Sequence, residues 1–156
     1  MKKYIIKGPT NSISGTVNIS GAKNSCLPLM AASILFKDKV ILKNVPLVKD
    51  VITMKNLLIS LGSKVEISKT NKMIIKNSKP HKRRVPYKLV STMRAGVLTM
   101  GSLLGRYQKK KIYVAKGGGC SLGIRDINYH LSGFESLAAE HRLEKGYVRI
   151  LSLIHI

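Results

Sequence analysis

An α/β fold built from a repeated β-α-β-α-β-β unit is what this sequence predicts, and three observations predict it. Residues 50–61 place Val51, Met54, Leu57, Leu58 and Leu61 at helical spacing, whereas 64–67 and 73–75 read as short strands. The same succession of helix, strand and strand pair returns about 70 residues later, a period long for a solenoid and suited to pseudosymmetric subdomains around a shared core. Finally, Leu57-Leu-Ile-Ser-Leu-Gly-Ser-Lys-Val-Glu-Ile67 has a counterpart in Gly133-Phe-Glu-Ser-Leu-Ala-Ala-Glu-His-Arg-Leu143. Both run from a helix through Ser-Leu and two small residues into a strand.

Taken in order, Lys3–Lys7 and Thr16–Ile19 read as short strands around a turn at Pro9-Thr10-Asn11. Ser20-Gly21-Ala22-Lys23-Asn24 then opens an apolar helical stretch that ends at Phe36, and Lys39–Leu42 alternates as a strand. Asp50 stands where an N-cap is needed for the helix to Leu61, and Gly62 where a helix-ending glycine is expected. Lys64–Ile67 and Met73–Ile75 form a hairpin-like pair. In the second copy Leu89–Leu104 is helical, Lys111–Val114 is a strand and Ile127–Ala139 is helical. Arg142–Glu144 and Tyr147–Ile150 then pair around Lys145-Gly146. Two copies are visible, the second barely complete, so the fold is expected to look unfinished.

With 156 residues and 44% hydrophobic content, the chain can bury a core rather than stay disordered. Cys26 and Cys120 are too few for a disulfide framework, so a reduced, cytoplasmic protein is expected. No apolar run follows Met1-Lys2-Lys3, so no signal peptide is read, and the apolar run Cys26–Phe36 is broken by Pro28 and too short to span a bilayer. A formal net charge of +21 raises the question of a nucleic-acid partner. The clusters Lys79–Arg84 and Lys109-Lys110-Lys111 are not interleaved with aromatics, as a stacking platform would be. The richness in Lys, Ile and Asn also fits AT-rich codons. The reading adopted is a general pull on small anionic substrates, with neither nucleic acid nor membrane as partner.

The segment Gly117-Gly-Gly-Cys120-Ser-Leu-Gly123-Ile-Arg125 carries the chemistry. Its glycines allow close backbone approach to a ligand, and a thiol beside a fixed cation leans toward the thiolate. The helix that follows adds the positive end of its dipole. An anionic substrate with a cysteine in the reaction is the reading.

The assembled residues resemble the UDP-N-acetylglucosamine 1-carboxyvinyltransferase family of enolpyruvyl transferases. The likeness begins at Tyr4-Ile-Ile-Lys-Gly8-Pro9 and runs through Ile19-Ser-Gly-Ala-Lys-Asn24, Lys43-Asn-Val-Pro46, Thr92-Met-Arg94-Ala95, Gly118-Gly-Cys120, Gly123, Arg125, His130 and Gly146-Tyr-Val148. It covers Tyr4–Ile150 in order. The resemblance implies an inside-out α/β barrel, incomplete here, in a two-domain protein about three times this long. It further implies that residues 1–20 belong to the second domain and 21–150 to a partial catalytic domain, so the remainder of the chain is itself a missing partner.

The implied reaction moves the enolpyruvyl group of phosphoenolpyruvate to the 3′-hydroxyl of UDP-N-acetylglucosamine in peptidoglycan synthesis, by addition and elimination, with no metal or redox cofactor. On the resemblance, Cys120 is the proton donor and the residue alkylated by fosfomycin. Lys23 grips phosphoenolpyruvate, Asn24 contacts substrate, Arg94 reaches the nucleotide sugar, and Arg125 serves both substrates. Asp126, Ile127, Asn128 and Tyr129 fall in the segment that binds the uridine end. Bottom-up, Lys23 is a point charge at a glycine-opened helix start and Arg125 a planar fork for phosphate. Arg94 lies among apolar residues, where an arginine either snorkels or meets a ligand. Asn24 also suits an N-cap, Cys26 reads as core, and His81, His130 and His141 lack metal-ligand spacing.

The chain departs from the family pattern at Gly117, which replaces a proline, at Ala138, which replaces a helix-ending glycine, and along Arg125-Asp-Ile-Asn-Tyr-His130, where the family has Arg-Pro-Val-Asp-Leu-His, so that Asp126 replaces a proline and Asn128 a carboxylate. The ending Leu151-Ser-Leu-Ile-His-Ile156 is one literal translation of CTGTCTCTTATACACATC, the end sequence of a transposon used in sequencing libraries. The natural sequence is therefore expected to end at Ile150, with a genuine apolar strand as the other reading. Two rival functions stay open at this level: the sibling shikimate-pathway enolpyruvyl transferase, and a basic RNA-binding module. The fragment by itself is expected to be inactive.

Overall fold

The computed structural model describes residues 3–8, 12, 14–78, 81–91, 93–108, 110–115 and 127–152. Its first half contains α1 (Lys23–Ala32), a 3-10 turn at Ser33–Leu35, β1 (Val40–Leu42), α2 (Lys49–Leu61), β2 (Lys64–Ile67) and β3 (Met73–Lys76). The second contains β4 (Arg84–Val85), a short α3 (Tyr87–Val90), a 3-10 turn at Arg94–Leu98 and α4 (Thr99–Arg106). It continues with β5 (Lys111–Ala115), α5 (Asn128–Ser136), β6 (Ala139–Glu144) and β7 (Tyr147–Ser152).

The repeat is plain in the sheets. The first has the order β1-β3-β2 and the second β4-β5-β7-β6. Within each, the late hairpin strand (β3 or β7) lies antiparallel between the other two. The second sheet adds β4, parallel to β5. A parallel neighbour needs a crossover, and α3, the 3-10 turn and α4 provide it. Ile75 of β3 faces Val40 and Val65, while Ile150 of β7 faces Ile112 and His141. The buried ends of these rows join Met30, Met54, Leu58, Met100 and Leu103 from the helices in one core.

Helix α2 follows its predicted spacing: Val51, Met54, Leu57, Leu58 and Leu61 are all fully buried. It ends at Gly62 (φ 120°), whose N–H reaches the carbonyls of Leu58 and Ile59. The N-cap, however, is Val48 with no side-chain cap; Asp50 instead occupies the first turn, where a carboxylate complements the dipole. Cys26 is core as expected, and burial pushes its thiol pKa up.

Several expectations are corrected. Residues 3–7 and 16–19 form no strand; Tyr4, Ile5, Ile6, Val17 and Ile19 are exposed, because no described strand offers them a ladder. The single helix expected over Leu89–Leu104 is broken. Met93 is extended (φ −148°, ψ 119°), and the chain doubles back so that a Cβ on Gly96 would stand 3.1 Å from Val90 Cγ2. Close packing of the two turns wins over apolar periodicity there. The last helix stops at Ser136 rather than Ala139, because Ala138 turns left-handed (φ 55°) and Ala139 already pairs in β6. Strand β7 continues beyond Ile150: Leu151 lies between Lys111 and Glu140, and Ser152 opposite Ala139.

Candidate functional site

The site begins where the chain enters α1. A Cβ on Gly21 would collide with the carbonyl oxygen of Asn44, so only glycine lets the two backbones meet. Asn44 is itself left-handed (φ 53°), and its Nδ2 donates to the Ile19 carbonyl at 3.3 Å. This contact aims the N-terminus of α1. The N-cap is Ala22, which brings no side-chain cap, so Asn24 is not the N-cap residue its type allowed. First-turn amides without a capping side chain, plus the dipole, make this end receptive to an anion.

Lys23, the first residue of α1, stands at that end. Its Nζ lies 2.9 Å from Asp50 Oδ2 in the first turn of α2, and the side chains remain 47% and 37% exposed. Sequence reading missed Asp50 as the partner of Lys23, since nothing in sequence distance shows that α1 packs on α2. Asn24 is exposed in the same turn.

Arg94 opens the 3-10 turn 94–98 rather than sitting mid-helix, and it is half-buried. That turn packs against α1, so Lys23, Asn24 and Arg94 belong to adjoining elements. Ile127 is half-buried against the core and its carbonyl accepts from the N–H groups of His130 and Leu131, closing the first turn of α5. Asn128 begins that helix and Tyr129 is 91% exposed. Cys120, Arg125 and Asp126, together with Gly117, lie outside the described residues; Ala115 at the end of β5 and Ile127 before α5 bound their segment.

Two further features were not foreseen. A buried polar network ties the halves together: His81 Nε2 lies 3.0 Å from Ser63 Oγ and 3.1 Å from Asn77 Oδ1, and its Nδ1 lies 2.9 Å from the Tyr107 hydroxyl. Asn77 Nδ2 donates to the carbonyls of Ser33 and Phe36, and Arg106 bonds to those of Ile34 and Phe36. Burial, reinforced by the Arg106 charge, lowers the His81 pKa to about 4. The other feature is an open groove on the second sheet, lined by Lys82, Arg83, Arg84, Lys110, Lys111, Tyr113 and Tyr147 among others. Among the described residues, no three His, Cys, Asp or Glu side chains cluster as metal ligands, and no helix is long and apolar enough to cross a membrane.

A family model described as EPSP synthase (3-phosphoshikimate 1-carboxyvinyltransferase) matches residues 7–153. The chain belongs to this family. Among its curated relatives, a UDP-N-acetylglucosamine 1-carboxyvinyltransferase of Magnetococcus marinus is 45% identical over 150 residues, 96% of this chain and 35% of the relative. Its namesake from Hydrogenovibrio crunogenus is 40% identical over 148 residues, 95% of this chain and 35% of the relative. The EPSP synthase-family chain thus spans about a third of the length of the relatives it matches. Among solved structures, the enolpyruvyl transferase NikO from Streptomyces tendae aligns with TM-score 0.75 at 17% identity, covering 92% of this chain and 31% of that one. An EPSP synthase from Acinetobacter baumannii aligns with TM-score 0.59 at 18% identity, over 89% and 32%. Those likenesses carry the fold: the two α/β units, the first without a leading strand among the described residues, are part of an enolpyruvyl transferase architecture.

Proposed function

We propose that this chain supplies part of the catalytic domain of an enzyme that transfers the enolpyruvyl group of phosphoenolpyruvate to the 3′-hydroxyl of UDP-N-acetylglucosamine. The observation that carries this reading is the 40–45% identity to relatives of that name along nearly the whole chain, set on a matching fold. In the reaction, the sugar oxygen bonds to C2 of phosphoenolpyruvate while Cys120 gives its proton to C3 and a base takes the hydroxyl proton. Elimination then returns a proton from C3 and breaks the C2–O bond to phosphate. Lys23 and Arg125 compensate the phosphate and carboxylate charges, Arg94 reaches the nucleotide sugar, and Asn24 contacts substrate. Asp126, Ile127, Asn128 and Tyr129 meet the uridine end. The Lys23–Asp50 pair supports the role of Lys23: Asp50 holds the ammonium at the α1 N-terminus until an anion competes for it.

In this reading residues 1–20 pack on a second domain, for which their exposed apolar side chains are suited, and residues 151–156 are an adapter-derived tail. The enzyme works in the cytoplasm, where both substrates occur, and fosfomycin alkylates Cys120. The chain alone turns nothing over, because the base and further cations lie in the rest of the protein. The test is a chimera in which this chain replaces the matching segment of a curated relative. Phosphate release from phosphoenolpyruvate with UDP-N-acetylglucosamine, lost in Lys23→Ala and Cys120→Ala, is expected. Turnover only with 3-phosphoshikimate as acceptor, or with neither, overturns the proposal.

A further inference from the structure

Two basic segments that look unrelated in sequence form one surface in the fold. Parallel pairing of β4 with β5 sets Arg84 beside Tyr113, and the Tyr113 N–H donates to the Arg83 carbonyl at 2.8 Å. The register carries this row across the sheet: Tyr113 lies opposite Arg149, and Arg149 opposite Arg142. The alternate residues Val85, Val114 and Val148 are fully buried, so the row occupies the face turned away from the core. Lys82, Arg83 and Arg84 from one segment and Lys110 and Lys111 from the other border the same groove, about 1100 Å³ in volume.

Its chemistry is selective. Among the described residues, the ion pairs are Lys23–Asp50, His141–Glu135 and Arg149–Glu144, so none of those five cations has a carboxylate partner. Unpaired like charges repel one another and focus a positive potential into a concave site. Aromatic faces stand among them: Tyr113 and Tyr147 line the groove, and the Arg84 guanidinium carbon sits 4.3 Å from the centre of the Tyr147 ring. Stacked guanidinium and phenol planes extend one another as a platform for flat rings. A recess between cations fits a strand better than a flat bilayer, which a projecting surface would serve. Lys23 and Arg94 stand on α1 and the 3-10 turn 94–98, which pack on each other and on α4, and neither residue borders the groove.

We propose that the groove on the outer face of the second sheet binds single-stranded nucleic acid. Lys82, Arg83, Arg84, Lys110 and Lys111 hold successive phosphates, and Tyr113 and Tyr147 receive bases. Sequence alone disfavours such a partner, leaving a basic RNA-binding module only as a rival, because neither basic cluster contains aromatics; the β4–β5–β7 ladder brings the tyrosines in from other strands.

The test uses the full chain, a fluorescein-labelled oligouridylate and anisotropy across a salt series. Five phosphate contacts predict a log–log salt slope of about −3.5 for a single strand. Lys110→Glu with Lys111→Glu is expected to weaken binding at least about ten-fold. Lys64→Glu with Lys76→Glu, equal in charge but on the first sheet, is expected to change it less than about two-fold. Since the chain has no Trp, tyrosine fluorescence of the unmutated protein reports stacking directly, and quenching by oligouridylate but not by inorganic polyphosphate is expected. Equal losses in both double variants, quenching by neither polymer, or preferential binding to phosphatidylglycerol vesicles overturns the proposal.

Discussion

Acid should weaken this fold through one residue, His81. The ring is buried, and its neighbours accommodate only the neutral form. With the proton on Nε2, that nitrogen donates toward Asn77 Oδ1 and Ser63 Oγ, while Nδ1 accepts from the Tyr107 hydroxyl. The Tyr107 oxygen already accepts the His81 backbone N–H at 2.6 Å, so a second proton on Nδ1 would oppose the hydroxyl's own. Burial and the Arg106 charge therefore take the pKa from 6.5 down to about 4. In the unfolded chain the ring titrates near its ordinary value, so between those limits the unfolded state binds more protons. The stabilisation is fully present above pH 6.5 and is lost as pH falls toward 4. At about 1.4 kcal/mol per pKa unit the loss approaches ~3 kcal/mol, a large share of a typical domain's 5–15 kcal/mol. Urea unfolding followed by circular dichroism from pH 7.5 to 4 measures it, with His81→Gln as the non-titrating reference. The variant should start less stable, and the gap should close by about 3 kcal/mol on acidification. Parallel pH profiles for the two proteins would refute the reasoning.

Three substitutions test local geometry. Gly21→Ala forces a Cβ into the Asn44 carbonyl and is expected to lower stability by about 1–3 kcal/mol in the same urea assay. Ala138→Gly relieves a left-handed alanine (φ 55°) and should raise the melting temperature, with a gain of up to about 1 kcal/mol. Asp50→Asn removes the Lys23 ion pair; because both groups are substantially exposed, the stability cost should stay below about 1 kcal/mol by chemical denaturation.

What could be read from sequence was governed by how far apart the interacting residues lie along the chain. Helix α2 and the hairpins β2–β3 and β6–β7 are local, and their apolar spacing and turn residues announce them. Lys145 and Gly146 both take positive φ (47° and 79°), as a tight hairpin turn demands. Strand β4, two residues within a basic segment, has no periodicity to read, and it exists because β5 is beside it. The break at Met93 was hidden for the opposite reason: Leu89–Leu104 keeps helical apolar spacing on either side of a turn that tertiary packing imposes. At the site, motif residues named Lys23, Asn24 and Arg94, but not Asp50, whose part depends on one helix lying on another. The basic groove was illegible because its cations and tyrosines come from three strands, and the residues leading into them, that lie far apart along the chain.

The comparison of the two units leads to one more expectation. In the second sheet β4 covers the outer edge of β5; in the first, no described strand covers the corresponding edge of β1. An open edge offers unpaired N–H and C=O groups to any other strand, and Ile41 on β1 is 40% exposed beside it. Val17 and Ile19 are each 84% exposed, and the Ile19 carbonyl meets Asn44, two residues past β1. Apolar alternation next to a free edge is the arrangement through which chains join edge to edge. The net charge of +21 opposes this at low ionic strength, so self-association should rise with salt rather than fall, as screening removes the repulsion. Light scattering of the purified chain across a sodium chloride series measures it. Ile41→Lys, which sets a charge on the edge, should delay the onset. A monomer at all salt concentrations, or association that weakens as salt is added, would show that something else protects β1.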